Sequence, residues 1–156
     1  MTTPPSAHTD FVIERRFAVP PGAVFQAWAD PQARRLWSDC HGECGSEQRF
    51  DFRPMGHETH RVVHADGRTQ TIERVYFDIV VDRRIVFGYD IRLDARPLSV
   101  SLVTVEFFAA GRGARMVYTE QLAYLDGHED RARRLQGTQE GLDRLVLLLS
   151  PQERAS

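Results

Sequence analysis

Lysine is absent from this chain. All 20 of its basic residues are arginine, a bias that reads as genome composition rather than mechanism. Cysteine is scarce: two thiols in 156 residues cannot frame a disulfide-stapled domain, so a reducing cytoplasm is the expected compartment. No run of 18 or more apolar residues occurs, so no membrane-spanning helix and no membrane partner are expected. The opening MTTPPSAHTD has neither the basic start nor the apolar core of a signal peptide, which points to the same cytoplasmic location. Positive charge is not in excess. The net charge is −2, unlike the basic stripe of a nucleic-acid binder, and no nucleic-acid partner is expected. A Ser-His-Asp order, a phosphate-cradling glycine loop and a dinucleotide fingerprint are also missing, so no cofactor is expected.

What remains is an ordinary globular composition at a length that suits one domain, expected over residues 10–150 behind a loose polar tail at 1–9. The run FVIERRFAV reads as a first strand, and Pro20-Pro21 ends it and opens a short helix with Val24, Ala27 and Trp28 on one face. Asp30-Pro31 restarts the chain as a second short helix, with Asp30 as N-cap, carrying Leu36 and Trp37. Residues 38–46 are a loop by composition. Six strand-like runs follow. EQRFDFRP alternates Phe50 and Phe52 against charged residues, and Asp66-Gly67, Asp82-Arg83 and Gly111-Arg112-Gly113 supply tight turns. Runs joined this closely are antiparallel hairpins. Asp126 and Glu129 resemble a capping box, and beyond them Leu135, Thr138, Leu142, Leu145 and Leu149 form one stripe of a long helix that Pro151 stops.

An antiparallel sheet of about seven strands must cover one face, and the C-terminal helix is the only long amphipathic element available to do it. The fold class is therefore α+β. Gly137 and Gly141, one turn apart in that helix, allow either a close approach to the sheet, space for a ligand, or a tolerated defect near solvent. Trp37, Phe50, Phe52, Phe87, Tyr89 and Tyr118 can all point inward, lining a pocket or filling a solid aromatic core.

Several segments together carry a resemblance: VIERRFAVPPGAVFQAWADPQARRLW, FDFRPMG, ERVYFDIVVDRRIVFGYD, VTVEFFAAGRGARMVYTEQ and GTQEGLDRLVLLL. They resemble the START-like (SRPBCC) superfamily, and within it the bacterial single-domain homologues of the heat-shock protein 90 ATPase activator's C-terminal domain. The resemblance implies a helix-grip fold, a curved sheet wrapped on a long C-terminal helix, with a cavity between them that takes an apolar molecule. The chain departs from that pattern where Thr138 follows Gly137 in place of a Trp, and in Ser38-Asp39-Cys40-His41-Gly42 after Trp37.

Three chemistries follow from particular side chains. Cys40, His41 and Cys44 give three metal ligands at best, with His57 or His60 nearby for a fourth, and no metal is expected. His57-Glu58-Thr59-His60 lacks the spacing of a zinc-protease helix. Glu120 alternates with Met116 and Tyr118, so it faces inward with them, as an acid/base group or as a hydrogen-bonded structural carboxylate; Glu73 is a similar case of uncertain facing. The expected function is binding of a small apolar molecule in the sheet–helix cavity by Trp37, Phe50, Phe52, Phe87, Tyr89, Tyr118, Glu120, Thr138 and Leu142. The alternatives are a polyketide-cyclase-like enzyme using Glu120, or a cochaperone-like interaction module. An exposed sheet edge allows a homodimer.

Overall fold

The computed structural model describes residues 5–38 and 46–151. The elements run β1 (Ala7–Phe17), α1 (Pro21–Ala29), α2 (Pro31–Ser38), β2 (Ser46–Phe50), β3 (His57–Val63), β4 (Thr69–Val80), β5 (Arg84–Leu93), β6 (Arg96–Ala110), β7 (Gly113–Tyr124) and α3 (Arg131–Leu148). The strands make one antiparallel sheet in the order β1-β7-β6-β5-β4-β3-β2. With α1 to α3 laid on one side of a curved sheet, this is the expected α+β helix-grip arrangement.

Side-chain alternation assigns the two faces. On β7, Ala114, Met116, Tyr118, Glu120, Leu122 and Tyr124 are buried while the residues between them are not. β6 repeats the pattern with Ser99, Ser101, Val103, Val105 and Phe107. The core lies between this inner face and the helices, through Trp28, Trp37, Leu142 and Leu145 among others. Tight turns join the strands, with Gly67, Asp82 and Gly111 at positive φ. The backbone of α3 approaches α2 and β1 most closely. Gly113 marks the tightest backbone contact, since a Cβ there would stand 2.0 Å from the Phe17 carbonyl oxygen.

Three local expectations are corrected, and one of the roles left open for the helical glycines is removed. β1 begins at Ala7, within the expected tail, because Ala7, His8 and Thr9 pair with Tyr124, Ala123 and Leu122. β2 ends at Phe50; Phe52 lies beyond it and packs on Phe25, Phe50 and Tyr76. The Asp126–Glu129 capping box does not form: Asp126 sits at φ 55 in the preceding turn, and Asp130 takes the N-cap position without a side-chain cap bond. Of the three roles open to Gly137 and Gly141, close approach of α3 to the sheet is the one removed. A Cβ on Gly137 would meet nothing within 4 Å, and one on Gly141 only the Arg144 guanidinium at 3.6 Å.

Candidate functional site on the inner face

Strand register places one row of residues across the sheet: Phe50, Glu58, Arg74, Tyr89, Ser101 and Leu122 are successive cross-strand neighbours from β2 to β7. The adjacent row carries Tyr76, Phe87, Val103 and Glu120. Polar groups from both rows meet in two clusters within an otherwise apolar interior.

The first centres on Glu120, which is 0% exposed. Tyr118 donates to its Oε1 at 2.8 Å, while Tyr89 (2.6 Å) and Ser101 (2.9 Å) donate to Oε2. Arg134 of α3 reaches down to the same Oε2 at 3.4 Å and donates its other terminal nitrogen to Ser99 at 2.7 Å. A carboxyl group given three hydroxyl donors and a guanidinium is the arrangement in which a buried acidic side chain is tolerable. Burial first, and then the Glu120 charge, pushes the Tyr89 and Tyr118 phenols well above their ordinary value, so both stay neutral donors.

The second cluster centres on Glu58, 1% exposed, whose Oε2 accepts from Tyr76 at 3.0 Å, Arg34 at 3.2 Å and Arg74 at 3.3 Å. Arg34 comes from α2 and lies over the rings of Trp28 and Trp37, at 5.1 and 4.6 Å from their centroids. Arg74 lies over Phe87 and Tyr89 in the same way, at 5.7 and 5.3 Å. Tyr76 is pushed up to about 12, with burial the main cause. The Nε atoms of both Arg34 and Arg74 are buried without a hydrogen-bond partner.

Residues 18–150 match the family profile described as activator of Hsp90 ATPase homolog 1-like protein. The chain belongs to this family. None of the curated proteins matches it. Among solved structures, an uncharacterised protein from Rhizobium leguminosarum is 43% identical with a TM-score of 0.88, covering 93% of this chain and 96% of that one. The Mll3558 protein from Rhizobium loti is 38% identical with a TM-score of 0.85, covering 92% and 98%. DynU16, a protein in the dynemicin biosynthetic locus, shares the fold alone: 14% identity, TM-score 0.63, 90% of this chain and 46% of that one.

Within this member of the activator-homolog family, the aromatic residues expected to line a pocket divide into two groups. Trp37, Phe87 and Tyr118 are in the closed core, where Trp28 touches all three at ring distances of 4.7, 6.2 and 6.4 Å. Leu142 is buried with them. Phe50, Phe52 and Thr138 are half-buried, and Thr138 spends its hydroxyl on the Arg134 carbonyl at 2.9 Å. Tyr89 stands between, 8% exposed and shared by both clusters. A concavity of about 1080 Å³ opens on the opposite, outer face of the sheet, where Glu73 lies. His57 faces outward and His60 inward, so they cannot serve one metal together; Cys40, His41 and Cys44 lie outside the described residues, among which no three metal-ligating side chains gather.

Sequence reasoning missed Glu58, Arg34, Arg74, Arg134, Ser99 and Ser101. Two signals were available. Arg74 alternates between Ile72 and Tyr76, and Arg134 stands one turn before Thr138 on the apolar stripe of α3.

Proposed function

We propose that the chain binds a small, mostly apolar molecule bearing an acidic group, held at the half-buried edge of the inner face between β2–β5 and α3. The observation that carries this reading is Arg74. Two guanidinium groups, Arg34 and Arg74, share one carboxylate oxygen of Glu58, and Arg74 keeps 18% of its side chain exposed. Its neighbours there are apolar and half-buried: Phe50 lies along the row, and Ile72 pairs with Ile91 beside it. A positive group amid apolar surface suits an amphiphilic anion, which would pair with the part of Arg74 that stays exposed. Membership of the family supports the cavity reading only at the level of fold.

Glu120 fits a structural role in this reading better than the acid/base role of a cyclase. Both of its oxygens already accept hydrogen bonds, and a general base needs a free lone pair within reach of substrate. Native mass spectrometry of gently purified protein, with a thermal-shift panel of apolar carboxylic acids and their methyl esters, tests the proposal. Acids are expected to raise Tm more than esters, and Arg74→Met to abolish the difference. Loss of the reading follows if no acid raises Tm, or if Arg74→Met leaves the preference intact.

A further inference from the structure

The outer face of the sheet carries a groove of about 1080 Å³, whose lining also takes in Tyr89 and Ser101 of the inner site. Most of its lining follows two rows of the register. One runs Glu73, Asp90, Val100, Ala123 and His8; the other runs His57, Val75, Gly88, Leu102, Gln121 and Asp10. The groove therefore crosses the strands, from β3 to β1.

Two local devices shape its middle. Phe77 is the extra residue of a bulge in β4, between Tyr76 and Asp78, and its alternation with the inward Tyr76 puts its ring on the outer face. The ring lies against Gly88, where an added Cβ would stand 2.9 Å from the Phe77 ring, so the missing side chain forms the floor. Phe77, Val100 and Leu102 are 51%, 50% and 42% exposed, a contiguous apolar strip on a face that no helix covers. Such a strip on a soluble domain marks an interaction site.

Charge decides the occupant. Glu73 and Asp90 are direct cross-strand neighbours, a like-charge pairing that costs stability. Asp90 holds Arg92 through one oxygen while its other oxygen is buried and unpartnered. Asp10 stands at the far end. Among the described residues neither the Glu73 nor the Asp10 carboxylate has an ion-pair partner, and the basic residues lining the groove are the histidines His8 and His57. The groove thus carries an apolar strip flanked by Glu73 and Asp90 on β4 and β5 and by Asp10 on β1, with a histidine at each end. Its floor strands, β4 to β7, are interior, with their backbone groups already paired. An extended peptide laid there would find no backbone partners, whereas a helix satisfies its own. Five strand spacings at about 4.8 Å make a run of about 24 Å, which is about 16 residues of helix at 1.5 Å each.

We propose that this groove docks an amphipathic helix of a partner protein, about four turns long, with an apolar stripe along its middle and arginine or lysine at its ends. α3 is not that helix, because its own apolar stripe is buried against the inner face.

The test is selection of 16-residue peptides from a random display library on the immobilised full chain, followed by anisotropy titration of the enriched peptides. The expected enrichment is for net positive peptides with apolar residues at i, i+3 or i+4, and i+7. Leu102→Asp should weaken them about tenfold, the loss typical of a charge placed in the centre of a small interface. The paired change Glu73→Lys with Asp10→Lys should weaken them by a similar factor and flatten the salt dependence, while Gln32→Ala, exposed on α2 away from the groove lining, leaves affinity unchanged. Both outer-face variants change exposed residues, and an unaltered Tm verifies that they fold. Selection without a charge preference, affinity unmoved by Leu102→Asp, or a Leu102-dependent dimer of the chain itself would each overturn the proposal.

Discussion

On the inner face of the sheet Glu58 and Glu120 each gather at least three donors, whereas on the outer face Glu73 faces Asp90 across one strand pair with Arg92 the single cation held there. The same register carries both faces, and the difference lies in solvent. A buried carboxylate left unpaired costs several kcal/mol, so an inward glutamate persists only with its donors in place. Outside, Glu73 is exposed to screening water and Asp90 is held by Arg92, so like charges can stand opposite each other there at small cost. Inner charges are consequently tied to the fold, and outer charges are free to answer to a partner.

The sharpest way to break that contrast is Glu120→Ala. It strands the Arg134 guanidinium and three hydroxyls in the interior, and about 3–5 kcal/mol of unfolding free energy should be lost in urea titrations. A loss below about 1 kcal/mol would mean that the cluster is hydrated or rearranges. Alkaline titration comes next. The folded pKa of Tyr76 lies at about 12 and those of Tyr89 and Tyr118 are also raised, all above the unfolded value of about 10. Their stabilisation is therefore complete below pH about 10 and is lost as pH rises through the folded values. Absorbance at the phenolate band should rise together with loss of near-ultraviolet circular dichroism, not before it. The smallest effect is expected outside: Glu73→Gln should change stability by no more than about 0.5 kcal/mol, on the favourable side, because it relieves the repulsion from Asp90. A cost comparable to that of Glu120→Ala would erase the distinction between the faces.

Element order and the helical stripe were legible because each rests on periodicity, which backbone geometry enforces locally. Glu120's inward facing was legible for the same reason, through its alternation with Met116 and Tyr118. The clusters were not. Arg34, Glu58 and Arg74 come from three elements, and only the sheet register and the docking of α2 bring them together. The outer groove was equally hidden, since it depends on the cross-strand register that sets Phe77 against the gap left by Gly88 in the facing strand. The lone long helix suggested a cavity beneath it. Trp28 packs there against Trp37, Phe87 and Tyr118, a contact set by the docking of α1 and α2 and not by any local pattern.

That packing also determines what light can report about this molecule. The chain has two tryptophans, and Trp28 and Trp37 stand 4.7 Å apart at 67° with the Arg34 guanidinium over both. Two indoles that close and non-parallel share their excited states, so the folded protein should show an exciton couplet in circular dichroism. Its emission has a single origin, the joint where α1 and α2 meet the sheet. Selectively excited tryptophan emission will follow the opening of that joint, and events on the outer groove will be dark to it unless a reporter is placed there.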